Sequence, residues 1–486
     1  ELGCYEGAQE QFISITRQQP GHAKAFHNLG LCYEMRRYYS QAIEAYEQAL
    51  KLDAGMFESL NNLGVCYKML GENEKADKLF HQAIRVNPNF SRGYSNIAEL
   101  YEKSNRLDEA SGLVEKALQI SSENLHAKYV KGLLAYREKS YDSAFEQLNY
   151  VVENASENCG YYPSVLASLG HCCDKLKNYS SAYDYFSRSG QKLIDCHGDQ
   201  SVIFSEFLEQ LNSWVIDQSK SAFESLRESS LDSPALAFIV GFPRSGTTLL
   251  GHILNCHKDV VTLDEQNQLL QDAKRYWKDK DGFPNNLHDY SDESISRYTE
   301  AYWKVARELS NDDLNSKLLV DKYPLNIVYL PLILRLFPNA KILFSLRDPR
   351  DACLSGFMQD FSLNPSMMSF LSMEGSVKLY QQVMSLFLEY EKKLPCAIHT
   401  VRYESLVDDM ETEQKAITTF LGIDWQPQML NYHQNRDLGT INTPSYQQVS
   451  QPVYKSSKQR WRNYEDQISV CLNRLDPFVE YFKYDQ

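Results

Sequence analysis

The stretch "ALAFIVGFPRSGTTLLGHIL", residues 235 to 254, joins an apolar run, a glycine-bounded loop and the opening of a helix pattern. Gly241 and Gly246 stand at the spacing of the phosphate-binding pattern GxxxxGK[ST]. Thr247 occupies the lysine position, and Arg244 lies inside the loop. That lysine normally holds the β and γ phosphates of a nucleotide beside magnesium. Without it, the N–H groups of Arg244, Ser245, Gly246, Thr247 and Thr248, at a helix N-terminus, can still cradle an anion. The Arg244 guanidinium adds a planar fork suited to phosphate or sulfate oxygens. Metal-free binding of such an anion is the chemistry this favours; the plainer alternative is a tight turn between strand and helix. A second constellation, "AKILFSLRDPRDACLSGF", sets Arg347 at the end of an apolar run and Ser355 eight residues later, about two helical turns on. A guanidinium and a hydroxyl converging there can clasp a phosphate monoester. Read alone, "RDPRD" can also be a surface Arg/Asp pair.

The two stretches together reach a family. "PRSGTT" after a strand resembles the 5'-phosphosulfate loop of sulfotransferases, enzymes that use 3'-phosphoadenosine 5'-phosphosulfate (PAPS). "RDPRDACLSGF", about a hundred residues on, is similar to the motif that family uses for the 3'-phosphate. "LLVDKYPLNIVYLPLILRLFPNAKILFSLRD" and "VRYESLVDDMETEQKAITTFLGIDW" resemble the tyrosylprotein sulfotransferases and, still more, bacterial sulfotransferases that carry tetratricopeptide repeats at their N-terminus. The resemblance covers nearly the whole chain. It implies PAPS as donor, adenosine 3',5'-bisphosphate as product and no required metal. It implies the 5' end on Arg244 to Thr248, the 3'-phosphate on Arg347 and Ser355, and Tyr403 and Arg460 as further contacts to the donor.

The resemblance further implies Glu265, 21 residues beyond Arg244, as general base, with Lys322 and Ser445 beside the transferring group. Those residue types suit the reaction. An acceptor hydroxyl loses its proton as it attacks sulfur, and a positioned carboxylate can take it. Negative charge grows on the bridging oxygen and 5'-phosphate, where Arg244, Lys322 and Ser445 can stabilise it. Other readings stand beside these. Glu265 can be a solvated loop carboxylate, and His257 is a rival base because many sulfotransferases use histidine. His252 reads as a helix-surface or packing residue, Tyr403 as plain packing, and Lys322 has Asp321 and Asp348 as alternative partners. The sequence also departs from the tyrosylprotein enzymes. Gln359 stands where they have a second arginine for the 3'-phosphate, Gln451 replaces a lysine, and Leu263 and Asp264 replace Gly and Glu. Fewer cations imply weaker donor affinity or different acceptor contacts.

Elements must hold these groups in place. From Ala235 onward the strand-like runs "ALAFIV", "KLLV", "AKILFSL" and "AIHTVRY" alternate with helical stretches, which predicts a parallel sheet covered by helices. The first half instead repeats every 34 residues: Gly30, Gly64, Ala98 and Gly132, and Ala8, Ala42, Ala76, Ala110 and Ala144. Tyr46 and Phe80 follow four residues after an alanine, and a fifth copy with Gly170 and Ala182 comes after four extra residues. Each period reads as a helical hairpin in which a small residue lets the second helix approach and an aromatic fills the gap. "FHNLGLCYEMRRYYSQAIEAYEQALKLD" resembles the tetratricopeptide repeat, whose stacks form a solenoid with a concave binding face. The expected class is thus α + α/β: a repeat solenoid over 1–190, a helical connector over 191–232, and a P-loop-like sulfotransferase domain with a central parallel sheet over 233–486.

Composition bounds the rest. Forty-three per cent hydrophobic and 23% charged is an ordinary globular balance, and no run approaches the roughly 18 apolar residues of a membrane span. Net charge is −14, with 20 Lys+Arg against 24 Asp+Glu in residues 1–190 and 30 against 40 beyond. That balance argues against a nucleic-acid partner. The 11 cysteines lack CxxC spacing and read as buried thiols of a reducing, cytoplasmic compartment. The chain opens on Glu1, so an upstream leader, anchor or further repeats can have been removed. The expected partners are a protein or peptide acceptor in the repeat groove, or a second copy of the chain. Two other classes stay open: a magnesium-dependent P-loop phosphotransferase, and an interaction protein with a degenerate nucleotide site.

Overall fold

The computed structural model describes residues 2–157, 159–224, 234–266, 269–279, 281–310, 314, 316–361, 363–434 and 457–484. It divides into two compact units, Glu1–Asn178 and Tyr179–Gln486.

The first unit is helical throughout: α1 (Leu2–Gln18), α2 (Ala23–Met35), α3 (Tyr39–Leu52), α4 (Phe57–Met69), α5 (Asn73–Val86), α6 (Ser91–Lys103), α7 (Leu107–Ile120), α8 (Leu125–Arg137), α9 (Tyr141–Asn154) and α10 (Tyr162–Lys175). The 34-residue period reappears in its turns. Arg37, Gly71, Asn105 and Lys139, one period apart, all take positive φ, between 59° and 80°. A left-handed residue just past a helix satisfies its last carbonyls and starts the next helix at a fixed angle. The packing follows the sequence reading. A Cβ at Gly30 would lie 2.6 Å from the Tyr46 ring, and one at Gly64 2.6 Å from Phe80. Ala42, Ala76, Ala110 and Ala144 are fully buried where the partner helices meet.

The second unit begins with α11 (Tyr179–His197), α12 (Ser201–Asp217) and α13 (Lys220–Glu224). The apolar stripe of α12 is buried at Phe207, Leu208, Leu211, Trp214 and Val215. The Trp214 indole N–H donates to Asn285 Oδ1 at 2.9 Å, so these helices pack within the second unit. There follow β1 (Leu236–Gly241), α14 (Thr247–Asn255), β2 (Val260–Asp264), α15 (Gln271–Asp279), α16 (Asp292–Ser310) and β3 (Leu318–Lys322). The unit continues through α17 (Leu330–Leu336), β4 (Lys341–Leu346), α18 (Pro349–Phe357), α19 (Met373–Lys393), β5 (Ile398–Arg402), α20 (Tyr403–Asp408) and α21 (Met410–Leu421).

The five strands form one parallel sheet in the order β2-β3-β1-β4-β5. β1 is buried along its whole length, as a strand covered on both faces requires. One face packs Ile239, Leu250, Ile253, Val320, Leu343 and Val401 against α14 and α21. The other stacks Phe344 on Phe387 of α19 at 3.9 Å and sets Phe238 against Tyr302 of α16. Four strands lie in the runs read from sequence; β2 does not. It is a short edge strand with partly exposed Thr262 and Asp264, and so lacks the continuous apolar run of its neighbours. From adjacent β1 and β4 the chain leaves to opposite sides, and the crevice beyond their C-terminal ends is where such sheets take ligands.

Candidate functional site

All five strands deliver a residue to that crevice: the loop after β1, Glu265 after β2, Lys322 ending β3, Arg347 after β4 and Tyr403 after β5. The loop after β1 turns sharply, with Arg244 at φ 71° and Gly246 at φ 95°. Ser245, Thr247 and Thr248 are buried. Ser345 of β4 donates its Oγ–H to the Ser245 carbonyl at 2.7 Å, fixing the loop to the neighbouring strand. Gly246 is required twice over, by its φ and by space. A Cβ there would lie 2.6 Å from Tyr403 Cδ2.

Arg347 is buried across the loop. Its Nη1 donates to the Arg244 carbonyl at 3.0 Å, its Nη2 to the Ser457 carbonyl at 2.7 Å, and its guanidinium lies 4.9 Å from the centre of the Tyr403 ring. Its Nε has no hydrogen-bond partner among the described residues. A buried guanidinium N–H in that condition carries a desolvation cost that an anion's oxygen would offset. Arg244 Nε donates to Ser355 Oγ at 3.2 Å, so the loop arginine and the α18 serine meet directly. The Tyr403 hydroxyl shares a 2.7 Å hydrogen bond with Ser457 Oγ. Tyr403 is therefore partnered at both ring face and hydroxyl rather than being plain packing.

Arg460 lies in a segment held by Asp351, in the first turn of α18. The Gln459 and Trp461 N–H groups donate to the two Asp351 oxygens at 2.7 and 2.9 Å. Burial pushes the Asp351 carboxyl up to about 6, against the pull of Arg347. The surface-pair reading of "RDPRD" fails, since Arg347, Asp348, Arg350 and Asp351 are all buried. Asp348 caps α18 and pairs with Arg350 at 2.7 Å, while its N–H donates to Glu404 at 3.0 Å.

On the far side of the loop, the Lys322 ammonium is only 1% exposed. It pairs with Glu265 Oε1 at 2.8 Å, reaches Thr248 Oγ1 at 3.5 Å, and forms a second ion pair with Asp264. The alternative partners are occupied elsewhere: Asp321 accepts from the Tyr302 hydroxyl at 3.2 Å, and Asp348 holds Arg350. Glu265 takes φ 50°, and its N–H donates to the Lys322 carbonyl at 2.7 Å, extending the β2–β3 pairing by one residue. Glu265 is thus tied to Lys322 through both its N–H and its carboxylate, while its side chain stays 36% exposed.

The rival base is removed. His257 Nε2 sits 2.7 Å from the Asp424 carbonyl, and the Asp259 N–H donates to its Nδ1 at 3.1 Å, so both nitrogens are engaged just before β2, at the opposite end of the sheet. His252 is buried on α14, and burial, with Lys322 nearby, pushes its pKa down to about 4. It is a neutral packing group rather than a surface residue. Ser445 and Gln451 lie outside the described residues. Ser345, Asp351 and Ser457 were not singled out from sequence as site residues, and Asp264 was read only as a departure from the tyrosylprotein enzymes. Of these only Asp264, beside Glu265 in "TLDEQ", offered a visible signal.

Among the described residues no cysteine forms a disulfide: five are buried, four half-buried and Cys196 is exposed, so the buried-thiol reading holds for half of them. Nor is any helix among them long and apolar enough to cross a membrane.

Residues 235–427 match the model of the sulfotransferase family, and residues 23–55, 57–90 and 97–158 match tetratricopeptide-repeat models. An uncharacterized protein of Aquifex aeolicus is 23% identical over 326 residues, which cover 64% of this chain and 42% of that one. A putative protein-tyrosine sulfotransferase of Caenorhabditis briggsae is 27% identical over 268 residues, covering 51% and 89% respectively. Protein-tyrosine sulfotransferase 2 of Gallus gallus is 26% identical over 243 residues, covering 46% and 62%. The chain therefore spans between 42% and 89% of the length of these relatives. The solved sulfotransferase domain of the Synechococcus PCC 7002 olefin synthase is 20% identical with a TM-score of 0.36, covering 48% of this chain and 90% of that domain.

Proposed function

We propose that this chain, which joins tetratricopeptide repeats to a sulfotransferase-family domain, transfers a sulfuryl group from PAPS to an acceptor hydroxyl and releases adenosine 3',5'-bisphosphate. The observation that carries the reading is the buried Arg347, whose Nε lacks a hydrogen-bond partner among the described residues, beside the anion cradle of the β1 loop. In this reading the N–H groups from Arg244 to Thr248, at the N-terminus of α14, hold the 5'-phosphosulfate. Arg347 and Ser355 hold the 3'-phosphate, and Tyr403 and Arg460 the adenosine side. Glu265 takes the acceptor's proton, while Lys322, Arg244 and Ser445 stabilise charge on the departing phosphate.

The acceptor we favour is a hydroxyl on a protein or peptide, tyrosine among them. Two observations support it: the relatives named as protein-tyrosine sulfotransferases, and a repeat unit of the kind that binds extended chains. A docked partner or a second copy of the chain is the other occupant such a unit suits. The cysteines, which form no disulfide among the described residues, suit a cytoplasmic setting.

Calorimetric titration with adenosine 3',5'-bisphosphate, alongside ATP with and without magnesium, tests the reading. The bisphosphate is expected to bind without metal, Arg347→Ala to weaken it on the order of tenfold or more, and Glu265→Ala to bind normally with turnover lost. Binding of magnesium-ATP alone would put phosphoryl transfer first. No binding of either nucleotide would favour an interaction protein, as would full activity in Glu265→Ala.

A further inference from the structure

Lys322 is held by more negative charge than one general base explains. Consecutive residues of a strand point to opposite faces. Here Asp264 ends β2 and Glu265 follows at φ 50°, so the chain turns and both carboxylates reach the same ammonium. Among the described residues Lys322 is the ionic partner of the Asp264 carboxylate, and no second cation pairs with it. The same ammonium reaches Thr248 Oγ1 at 3.5 Å, on the first turn of α14.

We propose that Asp264 is a positioning residue of the transfer step, holding the Lys322 ammonium in place while Glu265 accepts the acceptor's proton. This rests on the sulfotransfer reading. In that step the acceptor's O–H bond breaks and its proton passes to Glu265. The acceptor oxygen bonds to sulfur, the bond from sulfur to the bridging oxygen breaks, and its electron pair leaves on the 5'-phosphate. Glu265 becomes neutral as it accepts the proton. A buried ammonium whose only carboxylate has just been neutralised is left without its counter-ion. Asp264 retains its charge and removes that difficulty.

Among the described residues the charged and titratable groups facing this pair are few. Lys322 is faced by Asp264 and Glu265 from the end of β2, by His252 from α14 and by Asp321 along β3. Glu265 is faced by Lys322 and by Tyr323.

The test compares the wild-type chain with Asp264→Asn and Asp264→Glu, using ³⁵S-labelled PAPS with water and with a tyrosine-containing peptide as acceptors. Rates are referred to the concentration of sites that bind adenosine 3',5'-bisphosphate, so that only folded protein counts. Asp264→Asn is expected to bind the bisphosphate within about twofold of wild type and to lose roughly tenfold or more in kcat. Asp264→Glu, which restores the carboxylate, is expected to recover most of the rate. The proposal is overturned if Asp264→Asn turns over like wild type. It is overturned equally if the rate falls with no recovery in Asp264→Glu, or falls together with bisphosphate affinity, the signature of a structural role alone. A wild-type chain that releases no bisphosphate from PAPS with either acceptor sinks the sulfotransfer reading itself, and this role with it.

Discussion

At the scale of single residues, the site pairs groups the sequence declares with groups only the backbone supplies. Arg347 and Ser355 were legible because their spacing on a strand end and a helix follows from regular geometry, and the β1 loop because its glycines mark a turn. Asp264 was not legible as a partner of Lys322, because its meeting with Glu265 depends on one left-handed φ that no residue type requires. His252 left two readings open, helix surface or packing, because a histidine on an otherwise apolar helix gives no sign of how deep the helix lies; its burial selects the second. Its burial makes a pH prediction with a definite sign. A histidine with its folded pKa pushed down to about 4 contributes stability that is full above its unfolded value and is lost as pH falls through the folded one. Between about pH 6.5 and about pH 4 the unfolded chain takes up the proton first, at a cost on the order of 2 to 3 kcal/mol. Denaturant unfolding at about pH 7 and about pH 4.5 should therefore show His252→Gln losing less stability than wild type across that interval. An equal loss in both chains would mean His252 is protonated without strain in the folded state.

At the scale of elements, the helix period of the repeats and four of the five strands were legible because their apolar patterns are long and regular. The short edge strand β2 was not, because its pairing with β3 rather than its own composition makes it a strand. What aligns these elements on the site is close contact between loops, and Gly246 is the most exacting point. An added Cβ there meets Tyr403 at 2.6 Å and must also hold φ 95°. Gly71 supplies the control, with φ 80° and no atom within 4 Å of the place a Cβ would take. Gly71→Ala should cost about 1 to 2 kcal/mol, the left-handed penalty alone, and leave bisphosphate affinity unchanged. Gly246→Ala carries the same backbone penalty and in addition must displace the ring that lies against Arg347. Its bisphosphate affinity should fall roughly tenfold or more, a loss of about 1.4 kcal/mol. If the two variants bind the bisphosphate equally well, the contact between the loop and Tyr403 does not organise the site.

At the scale of the whole molecule, the chain carries two kinds of stability. The repeat unit, Glu1–Asn178, is built of hairpins that each pack on their sequence neighbours, so its stability accumulates along the stack. The unit Tyr179–Gln486 has a core on both faces of one sheet, and its loops converge on the proposed donor site. A ligand that binds one unit stabilises the folded state of that unit by mass action, about 2.7 kcal/mol at a hundred times its Kd. Scanning calorimetry should accordingly resolve two transitions, of which only one rises with adenosine 3',5'-bisphosphate, and Arg347→Ala should abolish that rise. A substitution in the repeats gives the reciprocal test. Gly64→Ala forces a Cβ to 2.6 Å from the Phe80 ring, and should lower the other transition while leaving the bisphosphate's Kd alone. If the bisphosphate raises both transitions together, or Gly64→Ala weakens its binding, the repeats and the donor site unfold as one cooperative body.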